Sequence, residues 1–131
     1  MNVCVVDASV LLAALVGTDA HSAWALQQLA DTPIAAPHIL HAEVANKLRK
    51  FALLGKLSMD AASLAHAEAV KLPIELFSYD TVAERIWSLR ANVSAYDAWY
   101  VALAELLDAP LVTLDQRLVR ASGPRCAFRS P

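Results

Sequence analysis

The stretch Val3-Cys4-Val5-Val6-Asp7-Ala8-Ser9-Val10-Leu11-Leu12 decides the fold. Four apolar residues, Val3 to Val6, run without interruption into a carboxylate. A short continuous apolar run of this kind is the pattern of a strand covered on both faces. Beyond Asp7-Ala8-Ser9, the residues Val10, Leu11, Ala14 and Leu15 recur at helical spacing. Asp7 therefore stands where a central strand becomes a helix. In open α/β sheets that is the rim where ligands bind, outside the carboxyl ends of the strands.

Outward from this stretch, strands and helices alternate. The first helix runs through Leu11, Leu12 and Leu15 to about Gly17. Asp19 fits the N-cap of a second helix that reaches Leu29 and ends at Asp31-Thr32-Pro33. Ile34-Ala35-Ala36, closed by Pro37, reads as a second strand. A long helical pattern through Ile39, Leu40, Val44, Leu48 and Phe51 follows, with Gly55 as its C′ residue. Ser58 then caps a helix that runs to about Lys71, before Pro73, which makes a helical hairpin. Ile74 to Phe77 is a third strand, and Thr81 to Arg90 a helix. After the break at Asn92-Val93, Ser94 caps an apolar helix from Ala95 to Leu107. Leu111 to Leu114 is a fourth strand running into Asp115, Gln116 to Arg120 a short helix, and Cys126-Ala127-Phe128 a last edge strand. The expectation is an α/β fold: one domain over residues 1–131, with a mostly parallel sheet of four to five strands and helices on both faces.

Composition narrows the function classes. The 131 residues are 57% hydrophobic and 18% charged, which suits a globular chain with an adequate core and excludes a disordered one. Charge or Pro breaks every apolar run before membrane-spanning length, and no basic start leads into a cleavable apolar segment, so the expected location is the cytoplasm. Cys4 and Cys126 are too few and too far apart for a metal motif and read as buried free thiols. The net charge of −2 leaves only a local patch for contact with a polyanion.

Four acidic residues stand out by position. Asp7 and Asp115 end strands, Glu43 lies early in the helix after the second strand, and Asp97 lies in the first turn of the Ser94 helix. A parallel sheet puts those positions on one side, so the topology brings all four toward one rim. Clustered carboxylates repel, and a divalent cation relieves the repulsion; all-oxygen ligands suit Mg²⁺ or Mn²⁺ rather than zinc. Ser9 and Thr113, each two residues from a strand-end aspartate, have the reach to bond a carboxylate. Each residue also has a plainer use. Asp7 and Asp115 fit ordinary N-caps, Glu43 fits an ion pair with Lys47 one turn on, and Asp97 fits the helix dipole.

Taken together, four fragments resemble the PIN-domain ribonucleases, and more narrowly the VapC toxins of bacterial toxin–antitoxin pairs. They are Val5-Val6-Asp7-Ala8-Ser9, His41-Ala42-Glu43-Val44-Ala45-Asn46, the run from Ser94 to Ala104 around Asp97, and Leu111-Val112-Thr113-Leu114-Asp115. The resemblance implies a PIN-like fold and an acidic pocket of Asp7, Glu43, Asp97 and Asp115 that holds Mg²⁺, with Mn²⁺ able to substitute. It implies metal-activated water cutting single-stranded RNA to leave a 5′-phosphate and a 3′-hydroxyl. Asp7 and Asp97 carry over as metal ligands, Glu43 as holding or orienting a metal-bound water, Asp115 as completing the pocket, and Ser9 and Thr113 as supporting positions. The resemblance also implies a homodimer and a cognate VapB-type antitoxin, whose Arg would pair bidentately with the carboxylates. The apolar residues Leu40, Val44, Phe51, Leu53, Leu54 and Leu57 exceed one helix face and divide between core and partner surface.

Among the basic residues, Lys47 and Arg90 are the better candidates for RNA contact, by closeness to Glu43 and to the Asp97 helix. Trp24, Trp87, Trp99 and Tyr100 have rings that can stack bases, but their helical setting favours core or interface. His38 and His41 beside Glu43 rank low as a zinc site without a cysteine motif. Two other classes compete with the nuclease. One is a phosphate-receiving signalling domain with Asp80 as acceptor, for which the Lys wanted after a later strand is missing. The other is a non-catalytic PIN-like binding module.

Overall fold

A computed structural model describes residues 2–30 and 32–131. The helix-ending role expected of Asp31 falls outside the described residues. The sheet has five strands, all parallel: β1 (Cys4–Val6), β2 (Ile34–Pro37), β3 (Ile74–Phe77), β4 (Leu111–Val112) and β5 (Phe128–Arg129), in the order β3-β2-β1-β4-β5. The chain builds outward from β1 to β2 and β3, then returns to lay β4 on the other side of β1. The direction of winding reverses between β1 and β4, and at such a switch point the loops part and leave a crevice. Among the described residues seven helices cover the sheet: α1 (Ala8–Val16), α2 (Ala20–Ala30), α3 (Leu40–Leu53), α4 (Met59–Lys71), α5 (Ala83–Ser88), α6 (Ala95–Leu107) and α7 (Gln116–Val119).

The strand register explains the apolar run of β1. Val5 stands opposite Ala35 on one side and Leu111 on the other, and all three are fully buried in the larger core, with α3, α4 and α6. Cys4 and Val6 point the other way and pack with Ile34, Val112, Val10 of α1 and Ala25 of α2. Both faces of β1 are thus dry, and each fully buried Val or Leu contributes about 1.5–3 kcal/mol relative to exposure. No single helix among the described residues is long and apolar enough to cross a membrane.

Local chemistry sets the helix boundaries. Asp19 accepts from the Ser22 N–H at the start of α2, and Ser58 and Ser94 accept from the N–H groups of Ala61 and Asp97. Gly55 follows the α3 C-cap with φ +71°, a left-handed conformation that suits glycine. Three expectations shift. The helix expected over Thr81–Arg90 is a 3₁₀ turn at Tyr79–Thr81 followed by the shorter α5. Ser78 bonds to Asp80, and the Thr81 hydroxyl donates to the Ser78 carbonyl, so side chains take over the backbone at its start. The fourth strand stops at Val112, because the Leu114 N–H turns to the Ser9 hydroxyl rather than to a strand partner. The last strand is displaced to Phe128–Arg129.

Candidate active site

Asp7 closes β1 and caps α1, so the plain reading of this residue as an N-cap is correct; its place at the switch point is correct as well. Its carboxylate accepts from the Val10 N–H at 3.3 Å, from the Ser9 hydroxyl at 2.5 Å and from the Thr113 hydroxyl. The same two hydroxyls also accept bonds from the β4 lip of the crevice. Ser9 Oγ accepts from the Leu114 N–H at 3.1 Å, and Thr113 Oγ1 accepts from the Asp115 N–H at 3.0 Å. Each hydroxyl donates to Asp7 and accepts from the β4 side, so the ends of β1 and β4 are tied through one carboxylate. Thr113 is fully buried and Asp7 nearly so, at 8% exposure.

Asp115 caps α7 by accepting from the N–H groups of Arg117 and Leu118, and Arg117 Nε lies 3.8 Å from the same oxygen. Glu43 is half-buried in the first turn of α3. Its partner is not Lys47: no Glu43–Lys47 ion pair forms among the described residues, and Glu43 Oε1 instead accepts from the Tyr100 hydroxyl at 2.6 Å. Tyr100 is a buried residue of α6, one turn beyond Asp97. The spacing of three puts both residues on one helix face, and that was the signal in the sequence that sets Tyr100 apart from the other aromatics.

The charges at this rim are linked. Burial pushes the Asp7 carboxyl up, outweighing the bonds from Ser9, Thr113 and the backbone. Burial also raises Glu43, with the charges of Asp97 and Asp7 adding to it while Tyr100 and Lys47 offset part. Asp97 is raised by burial and by Asp115, against relief from Ser94 and Arg117. Burial and the neighbouring carboxylates hold the Tyr100 phenol far above its ordinary value, so it stays a donor to Glu43. The four carboxylates expected at one rim therefore sense one another. Among the described residues, however, no three His, Cys, Asp or Glu side chains stand close enough to grip one ion. The donor set still suits a hard cation in kind: four carboxylates, all oxygen, with Tyr100 and the α7 N–H groups each engaging only one oxygen of Glu43 and Asp115.

Two hollows open beside the acidic residues. A groove of about 570 Å³ runs between α1 and α3, bordered by Ser9 and Glu43 at one end, Leu12, Val16 and Phe51 along its length, and Lys47 and Lys56 on its rim. A smaller cleft of about 290 Å³ is lined by Asn92, Ser94, Asp97, Asp115 and Arg117. Lys47 thus shares a groove with Glu43, as its sequence position suggested. Arg117, which sequence position alone did not single out, shares the cleft with Asp97. Asp80 lies apart, in another hollow with Arg85 and Glu105, and so does not join Asp7 as a phosphate receiver would require. His41 Nε2 lies 3.3 Å from the Ala69 carbonyl and ties α3 to α4.

The model of the PIN domain matches residues 4–124, nearly the whole chain. The chain belongs to the PIN-domain family. Ribonuclease VapC1 of Mycobacterium tuberculosis is 41% identical over 131 residues, covering 98% of each chain. The crystal structure of PAE2754 from Pyrobaculum aerophilum superposes with a TM-score of 0.69 at 26% identity, over 98% of this chain and 83% of that one. A toxin–antitoxin complex from Klebsiella pneumoniae superposes with a TM-score of 0.62, over 89% and 90% of the two chains; at 20% identity it shares the fold. In this PIN domain the four acidic residues of the resemblance are all present, and each lies at the carboxyl end of the sheet or in the first turn of a helix that starts there.

Of the six apolar residues divided between core and partner surface, Leu40 and Val44 are buried and Phe51 and Leu57 half-buried. Leu53 and Leu54 are exposed, at 65% and 69%. Trp24 and Trp99 are half-buried, and Trp87 is on the surface of the PIN domain.

Proposed function

We propose that this PIN domain is a divalent-metal-dependent endoribonuclease of the toxin–antitoxin type, with Asp7, Glu43, Asp97 and Asp115 as its acidic set. The observation that carries this reading is electrostatic. Carboxylates from three separate elements, Asp7, Glu43 and Asp97, are all raised, and neighbouring carboxylates add to the rise at Glu43 and Asp97. A group of desolvated, mutually repelling acids stores unfavourable charge that a divalent cation removes. Asp7 and Asp97 are the principal holders of Mg²⁺, or of Mn²⁺ in its place, and Glu43 and Asp115 contribute their uncommitted oxygens. A cation held there would lower the pKa of a bound water and offset charge on the phosphate.

The chain's own part is positioning. Ser9 and Thr113 fix the Asp7 carboxylate from two sides, so that it meets a ligand without reorganising. The Tyr100 hydroxyl fixes Glu43, which leaves the other oxygen of Glu43 to orient a water or take its proton. Lys47 and Arg117, each bordering a hollow that contains one of the acids, are placed to receive flanking phosphates of an RNA strand.

The ribonuclease name of the 41%-identical relative supports RNA as the substrate, and the toxin–antitoxin fold neighbour supports a protein inhibitor. The groove beside Glu43, apolar along its length and basic at its rim, suits an apolar antitoxin segment that ends in an Arg paired with the carboxylates. Exposed Leu53, Leu54, Met59 and Leu64 offer apolar surface for a homodimer. A substrate in cellular RNA supports a cytoplasmic location.

The test is incubation of purified protein with total cellular RNA in Mg²⁺, Mn²⁺ or EDTA, beside Asp97→Asn. Discrete fragments that need metal and vanish in the variant are the expected result, and sequencing their ends gives the cut site. Absence of cleavage under every metal by folded, antitoxin-free protein would overturn the reading in favour of a non-catalytic binding module.

A further inference from the structure

Trp87, 66% exposed at the C-terminal end of α5, stands further into solvent than the half-buried Trp24 and Trp99. It is not bare. The Arg90 guanidinium lies over its ring with Cζ 4.6 Å from the centroid, and Arg90 Nη1 donates to the Trp87 carbonyl at 2.8 Å. The bond to the carbonyl holds the guanidinium beside the indole.

The place of the pair suggests what it meets. Asn92, two residues beyond Arg90, lines the cleft that holds Asp97, Asp115 and Arg117. Consecutive Cα atoms are about 3.8 Å apart, so the Cα of Arg90 lies within roughly 7.6 Å of the cleft wall. Backbone bonds from the N–H groups of Asn92 and Val93 to the Leu89 carbonyl hold the connection in a tight turn. Close to Trp87 in sequence, Glu84, Ser88, Arg90 and Asn92 are polar and exposed. A single-stranded nucleic acid uses the combination found here: an aromatic face for a base, with cations beside it for the backbone.

We propose that Trp87 and Arg90 form a base-stacking subsite for single-stranded RNA at the mouth of the Asp97–Asp115 cleft. The proposal rests on the nuclease reading for its substrate class. A base of the strand outside the scissile bond stacks on the exposed indole, while Arg90 and Arg117 face the phosphates that lead into the cleft. The pair determines where on the strand the cut falls; it does not touch the reacting atoms.

The experiment is titration of the full chain with short single-stranded oligouridylate and oligoadenylate in EDTA, so that binding is read without cleavage. Tryptophan quenching and fluorescence anisotropy are recorded for wild type, Trp87→Ala, Trp87→Phe and Arg90→Gln. Loss of one stacked base corresponds to a weakening of about five- to 150-fold for Trp87→Ala. Trp87→Phe retains most of the affinity but loses most of the quenching, and Arg90→Gln flattens the salt dependence. With metal restored, Trp87→Ala raises KM and alters the fragment pattern while kcat holds. Binding with quenching at Trp87 but no cleavage by any variant would support the subsite and sink the nuclease reading. Cleavage with KM, pattern and affinity unchanged in Trp87→Ala would sink the subsite and leave the nuclease standing. Unchanged RNA binding with lost antitoxin binding would assign the pair to a protein partner and overturn the proposal, as would absence of RNA binding by the wild type.

Discussion

Replacing Thr113 by Val tests the idea that one carboxylate joins the two lips of the crevice. The two side chains have nearly the same volume, so no cavity opens. Two hydrogen bonds go: the one the hydroxyl donates to Asp7 and the one it accepts from the Asp115 N–H at 3.0 Å. A bond to a charged group contributes about 1.5–3 kcal/mol and a neutral one about 0.5–1.5 kcal/mol, so the loss should be roughly 2–4 kcal/mol. At about 2.1 cal/mol/K of unfolding entropy per residue, 131 residues convert that into a fall in Tm of roughly 7–15 °C. The assay is denaturant and thermal unfolding in EDTA, run as a double-mutant cycle with Asp7→Asn. The two changes should fall short of additive by about 1–2 kcal/mol, because removing the Asp7 charge already weakens the bond that Thr113 makes. Thr113→Ser, which keeps the hydroxyl, should recover most of the loss. Stability of Thr113→Val within about 0.5 kcal/mol of wild type, together with strict additivity, would refute the network.

Tyr100→Phe removes the donor that opposes the burial-driven rise at Glu43, so the carboxyl should move further up and the acid limb of the RNA-cleavage profile should shift to higher pH; an unmoved limb would separate Tyr100 from the chemistry. Burial raises Glu105, but the bonds from Arg85 at 2.7 and 3.1 Å and from the Arg125 N–H outweigh it and leave the carboxyl lowered. Its contribution is therefore present above the ordinary glutamate pKa and is lost as pH falls through the folded value. Arg85→Ala should cost about 1–3 kcal/mol near neutrality and less in acid, as read by urea midpoints across pH; an equal cost at every pH would refute the pairing. Mg²⁺ at a hundredfold excess over its dissociation constant should stabilise the wild type by about 2.7 kcal/mol and leave Asp97→Asn nearly unmoved in thermal shift; equal shifts in both would place the ion elsewhere.

Most of the fold is legible in the sequence because its signals are local. Ser58 and Ser94 announce helix starts, Gly55 a helix end, and the apolar run to Val6 a strand dry on both faces. Where tertiary bonds decide, local pattern fails. Leu114 has the composition of a strand residue, yet its N–H goes to Ser9, 105 residues away, and β4 ends early. At the start of α5, the Ser78–Asp80 and Thr81–Ser78 bonds outcompete helical propensity. The acidic positions could be placed by topology, since a parallel sheet has only one carboxyl end. Their side-chain partners could not. The choice of Tyr100 over Lys47 as the partner of Glu43 depends on how α3 and α6 approach each other, which neither segment encodes by itself.

The β1–β4 contact joins residues 106 positions apart, from Asp7 to Thr113. At ribosomal speeds of about 5–20 residues per second, Thr113 is added roughly 5–20 s after Asp7. Throughout that interval the nascent chain has its first aspartate and Ser9, but neither the Thr113 hydroxyl that completes its hold nor the aspartate across the crevice. Translation order thus acts as a timer: the acidic rim comes together only once nearly the whole chain has been made.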